Sequence, residues 1–289
     1  TTQRSVMMCN QKPELNQKPD KNAPIGVFDS GVGGLTVARE IMRQMPEERI
    51  VYFGDTARVP YGSKSQDTII RYSRQIIRFL MTKYVKAIVI ACNTASAYAL
   101  ATVEKEFDVP IIGVIRAGAR TAVQVTRNGK IGVIATEGTI GSGIYTQEIK
   151  KLRPDIEVTG KPCPLFVPLV EEGLLHDSVT DEIASRYLSS LKSRFVDTLV
   201  LGCTHYPLIR STLGRLMGND VTLVNPAYET AIELRDLLQK YGLSCDEENT
   251  GGEKYQFFVS DQTEKFTAFA TSILPNDVKE TRKVDIEKY

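Results

Sequence analysis

The sequence predicts an α/β protein with two similar parallel-sheet α/β domains that face each other across a central cleft. Three observations predict this fold class. From Pro24 onward, short and continuously apolar segments alternate with amphipathic helical segments, as in parallel sheets covered on both faces. The same pattern of segments occurs twice along the chain. Cysteines and small polar residues follow several apolar segments, where open parallel sheets bind their ligands.

Seven apolar segments have the length and composition of buried strands. They are residues 25–28, 50–53, 87–91, 111–114, 131–134, 198–201 and 222–224. Helical spacing of apolar residues predicts one helix over 67–84, with Asp67 as its N-cap, and another over 229–242. Gly242 is predicted to cap the end of the second helix.

A weak internal repeat indicates the two domains. "IGVFDSG" at 25–31 resembles "IGVIATEG" at 131–138, "VPYG" at 59–62 can be set against "VPLV" at 167–170, and "IVIACNT" at 88–94 matches "LVLGCTH" at 199–205. The offsets of 106, 108 and 111 residues rise in order, as expected of two copies that differ by short insertions. Chance is the alternative, because all strand–helix units look alike, but a cysteine occurs in both copies of the third pair.

Composition excludes several classes of protein. The 36 basic and 35 acidic residues give a net charge of +1, which does not indicate binding to nucleic acid or to an anionic membrane. No apolar stretch approaches the roughly 20 residues that span a bilayer. Residues 1–23 are polar, lack the apolar core of a signal peptide and are predicted to form a flexible tail. Five cysteines without paired spacing favour a reducing cytoplasm.

Five motifs at predicted strand ends carry the residues that could act chemically. They are "DSGVGG" (29–34), "GDTARVPYGSKS" (54–65), "CNTAS" (92–96), "ATEGT" (135–139) and "CTHYP" (203–207). The glycines of the first motif fit neither the dinucleotide fingerprint nor the P-loop. They are better suited to a tight turn around a smaller anion, such as an α-carboxylate.

Cys92 and Cys203 are the strongest signal, because each ends a strand and precedes a predicted helix. A helix N-terminus lowers the pKa of a thiol, so we expect both thiols to be reactive. Two thiols on opposite sides of a pocket could remove a proton from one face of a carbon and return one to the other. This is racemisation or epimerisation by general acid–base catalysis.

Three alternatives remain open for these cysteines. Cys92, Cys203 and His205 could bind zinc, although the sequence has no CxxC pair. The two thiols could form a redox disulfide, or both could be inert core residues. The other three cysteines, Cys9, Cys163 and Cys245, are assigned no role.

The motifs "FDSGVGGLTV", "GDTARVPYGSKS", "ACNTASA" and "LGCTHYPLI" together resemble those of the glutamate racemases, in the cofactor-independent aspartate/glutamate racemase family. The resemblance covers the chain from about Pro24 to its end. It implies interconversion of L- and D-glutamate without pyridoxal phosphate or another cofactor, and a supply of D-glutamate for peptidoglycan. It also implies that glutamate is the small-molecule partner and that the protein forms a homodimer.

The resemblance implies a role for each matching residue. Cys92 would deprotonate D-glutamate and Cys203 would deprotonate L-glutamate. Asp29 and His205 would tune these proton transfers and contact the substrate, and Glu171 would assist near Cys203. Further substrate-binding residues would be Ser30, Tyr61, Gly62, Asn93, Thr94, Thr136 and Thr204. A helix cap remains the alternative for Asp29, and a packed core histidine remains the alternative for His205.

The implied fold has a discontinuous first domain, residues 24–115 plus 225–289, around an inserted second domain, residues 116–224.

Two other functions remain open. The substrate could be aspartate or another small acid, or the chain could be a binding or regulatory module with a vestigial site. A regulatory role for the tail is not favoured, because the tail has no apolar anchor.

Overall fold

The computed structural model describes residues 20–245 and 253–289. Most of the predicted tail, including Cys9, therefore lies outside the described residues. The strands of the described part are, in chain order, β1 Ile25–Asp29, β2 Ile50–Gly54, β3 Ala87–Ile90, β4 Ile111–Gly113, β5 Lys130–Ala135, β6 Glu157–Pro162, β7 Thr198–Gly202, β8 Thr222–Val224, β9 Tyr255–Val259 and β10 Thr281–Lys283. Its α-helices are α1 Leu35–Gln44, α2 Gln66–Met81, α3 Asn93–Glu106, α4 Val114–Val125, α5 Glu137–Gly141, α6 Ile144–Leu152, α7 Phe166–Glu171, α8 Ser178–Lys192, α9 Arg210–Met217, α10 Pro226–Tyr241 and α11 Thr263–Ile273. Short 3-10 helices cover Tyr206–Ile209 and Ile286–Lys288.

The strands form two parallel sheets, which confirms the predicted fold class. The first sheet has the order β10-β9-β2-β1-β3-β4 and the second has the order β6-β5-β7-β8. We call the parts of the chain around them the first and second domains; the boundaries 24–115 plus 225–289 and 116–224 remain a prediction. Among the described helices, none has the length and apolar character needed to cross a membrane.

The two sheets repeat the same core topology, as the internal repeat predicts. The order β2-β1-β3-β4 in the first sheet corresponds to β6-β5-β7-β8 in the second. The turns before β3 and β7 also match. Tyr84 and Phe195, like Cys92 and Cys203, are 111 residues apart, and both are exposed aromatic residues with a left-handed φ of 56°. These shared backbone details favour a true repeat over chance similarity between strand–helix units.

Three apolar clusters of described residues hold the layers together. The largest contains side chains from the inward faces of both sheets and from α1, α4 and α10, so it joins the two domains. A second cluster lies between the first sheet and α2 and α3, and a third lies between the second sheet and α8 and α9. Because the sheets are covered on both faces, their central strands are continuously apolar.

All seven predicted strands are confirmed, whereas β6, β9 and β10 were not predicted. β6 and β10 are short of apolar residues because they are edge strands of their sheets. The helix predicted over 67–84 is α2. Its N-cap is Ser65, whose hydroxyl accepts from the Thr68 N–H. Asp67 lies inside the first turn, so its prediction as the N-cap is wrong. Gly242 ends α10 with φ 66°, as predicted.

Candidate active site

Cys92 lies between the end of β3 and the first turn of α3. It is the N-cap of α3, and its Sγ accepts a hydrogen bond from Ala95 N at 3.5 Å. The thiol is buried, and burial raises its pKa to about 12, with a further increase from the neighbouring Asp29 carboxylate. The helix N-terminus acts on this thiol as predicted, because the hydrogen bond from Ala95 N lowers its pKa, but desolvation and a nearby negative charge outweigh this effect.

Asp29 ends β1 and is completely buried beside Cys92. Its Oδ2 accepts from Gly31 N at 2.9 Å, whereas its Oδ1 has no hydrogen-bond partner among the described residues. Burial raises the pKa of this carboxyl, opposed by the charge of His205 and by backbone N–H groups of the glycine-rich turn. A buried carboxylate oxygen without a partner is suited to accepting from a cationic group.

Cys203 lies at the end of β7 and has a different environment. The helix predicted directly after it is a 3-10 helix, Tyr206–Ile209, which contains Pro207 and continues into α9. Instead of an α-helix N-terminus, Cys203 has His205, whose Nδ1 lies 3.8 Å from Sγ. The two thiols are within electrostatic range, because charge on Cys203 also raises the pKa of Cys92.

His205 connects Cys203 to Glu171. Its Nε2 lies 3.1 Å from Glu171 Oε1, at the end of α7. Burial lowers the pKa of His205, but the hydrogen bonds to Cys203 and Glu171 outweigh burial and raise this pKa to about 10. The hydrogen bond from His205 also lowers the pKa of Glu171. The arrangement thus favours an imidazolium between a thiol and a carboxylate.

This pairing predicts a pH dependence of stability. The pKa of His205 rises from 6.5 on folding, so its stabilisation is complete below pH 6.5 and is lost as pH rises towards about 10. The free energy of unfolding of the wild type should fall across this window by up to about 1.4 kcal/mol per pH unit more steeply than that of His205→Asn. Urea denaturation at a series of pH values measures both slopes. Equal slopes for the two proteins would contradict the pairing.

The glycine-rich turn brings the domains together at this point. A Cβ on Gly33 would lie 2.3 Å from Thr204 Oγ1 and 2.5 Å from His205 Nδ1, so a larger residue there would collide with the second domain. Thr36 Oγ1 donates to Thr204 O at 3.2 Å. The motif predicted to form a turn around a small anion therefore also allows close approach to the Cys203 side.

Small hydroxyl side chains form a second contact between the domains. Thr94 Oγ1 lies 2.9 Å from Thr136 Oγ1 and 3.3 Å from Thr139 Oγ1. Thr136 caps α5 by accepting from Thr139 N at 3.2 Å. Gly62 packs directly on Thr136, and its carbonyl oxygen accepts from Gly138 N at 2.8 Å. Thr94, Thr136 and Gly62, predicted from three separate motifs, thus lie together.

The remaining predicted residues lie around the same cleft. Ser30 lies beside Cys92, and its hydroxyl lowers the pKa of the thiol against the effect of burial. The Tyr61 hydroxyl donates to Asp55 Oδ2, whose carboxylate also accepts from Arg58 Nε at 2.7 Å. Asn93 follows Cys92, and its Oδ1 accepts from the Tyr145 hydroxyl at 2.6 Å.

Sequence reasoning missed Tyr145, Thr139 and Asp55 at this cleft. Asp55 lies within a motif that was singled out, so its position after β2 was an available signal. Thr139 likewise ends the motif "ATEGT", which was singled out. Tyr145 gave no such signal, because its contact with Asn93 depends on how the domains pack.

The cysteine alternatives can be compared with this geometry. Within residues 20–245 and 253–289, no group of three or more His, Cys, Asp or Glu side chains is placed to hold a metal ion. Cys92, Cys203 and Cys163 are free thiols. A surface cavity of about 480 Å³ lies at the amino ends of β7 and β8, and none of the predicted site residues lines it.

Comparison with known proteins identifies the family. The family model of the Asp/Glu/hydantoin racemases matches residues 25–232. The chain belongs to this family. The relatives described next confirm its resemblance to the glutamate racemases. They also confirm its assignment as an isomerase of the amino-acid racemase type.

The similar racemases cover nearly the whole chain. A glutamate racemase from Geobacter metallireducens is 47% identical over 263 residues, which are 91% of this chain and 97% of that protein. The crystal structure of glutamate racemase isoform RacE1 from Bacillus anthracis has 41% identity and a TM-score of 0.88, covering 92% of this chain and 98% of that one. The crystal structure of a glutamate racemase from Francisella tularensis in complex with D-glutamate has 39% identity and a TM-score of 0.86. The match covers 93% of this chain and 100% of that one.

Proposed function

We propose that this protein interconverts L- and D-glutamate by proton transfer between Cys92 and Cys203 on opposite faces of Cα. The observation that carries the proposal is the pair of free, buried thiols at equivalent strand ends of two facing domains. Cys203 removes the Cα proton of L-glutamate, and Cys92 delivers its own proton to the opposite face. The reverse reaction exchanges these roles.

The environments of the two thiols support different roles for them at the start of the reaction. The raised pKa of Cys92 keeps it a protonated acid, while Cys203 has the His205 imidazolium as a hydrogen-bond donor. Cys92 is thus suited to act first as the acid that protonates Cα. Because enantiomers have equal free energy, kcat/KM must still be equal in both directions, and the asymmetry can affect only kcat and KM separately.

Substrate binding is assigned by charge. The unpartnered Oδ1 of Asp29 accepts from the α-ammonium group beside Cys92. The substrate carboxylates are bound by hydroxyl and amide donors, for which Ser30, Tyr61, Gly62, Asn93, Thr94, Thr136, Thr204 and His205 are proposed. Because these donors are fixed in a buried cleft, they also stabilise charge that develops at Cα and on its carboxylate.

The wider role follows from the family resemblance. We propose that the product D-glutamate is used for peptidoglycan, that the enzyme acts in the cytoplasm, and that it forms a homodimer. Light scattering of the purified protein would test the dimer.

Glutamate is proposed over aspartate because relatives with 44–47% identity to this chain are named glutamate racemases. Aspartate is one methylene shorter, so its second carboxylate would not reach the same donors. We expect kcat/KM for L-glutamate to exceed that for L-aspartate by at least about 10- to 200-fold. Chiral chromatography of both reactions, without added cofactor, measures this ratio. A preference for aspartate would replace the proposed substrate, and turnover of neither would favour a vestigial site.

A further inference from the structure

Tyr145 and Asn93 form a hydrogen bond between the domains. Tyr145 is the second residue of α6 in the second domain, and Asn93 is the first residue of α3, directly after Cys92. The Tyr145 hydroxyl donates to Asn93 Oδ1 at 2.6 Å, and both side chains are buried. The bond therefore connects the second domain to the residue beside one of the two thiols.

This bond selects the orientation of the Asn93 amide. The amide group has one oxygen acceptor and one nitrogen with two N–H donors. A tyrosine hydroxyl that donates must face the oxygen, which directs the nitrogen the other way. The Tyr145 hydroxyl keeps its proton, because burial first and the charge of Cys203 second raise its pKa above its ordinary value. A carboxylate offers only acceptors, so it can bind Asn93 only through the nitrogen.

The Tyr145 ring is held in place by close backbone contact. A Cβ on Gly202 would lie 3.2 Å from Tyr145 Cε2, and a Cβ on Gly118 would lie 3.6 Å from Cε1. Gly202 directly precedes Cys203, so the ring packs against the backbone that carries this thiol. The hydroxyl thus reaches Asn93 from a fixed position rather than from a mobile surface side chain.

We propose that Tyr145 is a positioning residue, which holds Asn93 with its amide nitrogen towards a substrate carboxylate. This inference rests on the proposed function, in which Asn93 binds glutamate. Without the hydroxyl, the Asn93 oxygen loses its buried donor, and the amide is free to turn its oxygen towards the carboxylate.

Tyr145→Phe tests the inference because it removes only the hydroxyl. We expect KM for both glutamate enantiomers to rise about 10-fold, with kcat changed by less than about 3-fold. In an Asn93→Ala background, the same substitution should change kcat/KM by less than about 2-fold, because Tyr145 acts through Asn93. Tyr206→Phe is the matched control: its buried hydroxyl donates to Cys163 O at 2.9 Å, and its loss should leave KM unchanged.

The outcomes separate this inference from the proposed function. A wild-type enzyme that does not racemise glutamate would overturn the function, and the inference with it. An active wild type with an unchanged KM in Tyr145→Phe, or an effect that persists in Asn93→Ala, would overturn the inference alone. If Tyr145→Phe does not fold, Asn93→Asp provides the test. In this variant Tyr145 would hold one oxygen of the new carboxylate at position 93, and the other oxygen would face the substrate carboxylate. The two negative charges would repel each other and raise KM, so an unchanged KM would overturn the inference.

Discussion

Replacement of either Cys92 or Cys203 by alanine should lower the rate of glutamate racemisation by about 10²- to 10⁴-fold. Each variant loses the acid or the base on one face of Cα, and the remaining thiol cannot reach the other face. The rate is measured by following the optical activity of L-glutamate over time. Both directions should lose the same factor in kcat/KM, since the two enantiomers have equal free energies.

Cys163→Ala is the matched control for these variants. Cys163 is also a buried, free thiol, and it follows β6 of the second sheet. Burial raises its pKa to about 12, as it does for Cys92, yet Cys163 is assigned no role. Activity within a few-fold of the wild type is expected. A loss as large as that of Cys203→Ala would mean that cavity formation, rather than loss of an acid or base, explains the cysteine variants.

A second large effect is expected far from the cleft, at Lys86. Its buried Nζ donates to Glu48 Oε2, to Lys21 O at 2.6 Å and to Leu243 O at 2.8 Å. Lys86→Met leaves the Glu48 carboxylate buried without its cation, so the free energy of unfolding should fall by about 3–5 kcal/mol. Chemical denaturation measures this change.

A double variant separates charge from packing at this pair. Lys86→Met with Glu48→Gln removes both charges and keeps an amide oxygen in place of Glu48 Oε1, which accepts from Cys245 N at 2.9 Å. We expect the double variant to be more stable than Lys86→Met alone. Equal stability of the two variants would show that the uncompensated charge is not the cause of the loss.

The strands could be predicted from the sequence where burial fixes their composition. The central strands are apolar throughout because helices cover both faces, and the cysteines at their ends indicated the cleft. The edge strand β6 could not be found in this way, since none of the residues of "EVTGKP" is fully buried. The choice of Ser65 rather than Asp67 as the cap of α2 depends on local backbone geometry that composition does not determine.

The electrostatics of the cleft could not be predicted from local sequence. The pKa of Cys92 depends on burial and on Asp29, which comes from a different strand. The contact of Tyr145 with Asn93 joins positions far apart in the chain and requires the domains to be packed. Motifs therefore predicted which residue types lie at the cleft, whereas their protonation and orientation required the structure.

Deuterium exchange at Cα tests the two-thiol proposal most directly. Each single-cysteine variant is incubated with L- or D-glutamate in D₂O, and label and configuration are determined by mass spectrometry and chiral chromatography. Cys203→Ala, which retains Cys92, should exchange the Cα proton of D-glutamate without inversion and leave L-glutamate unlabelled. Cys92→Ala should show the opposite preference. Exchange of both enantiomers at equal rates by either folded variant would contradict the assignment of one thiol to each face.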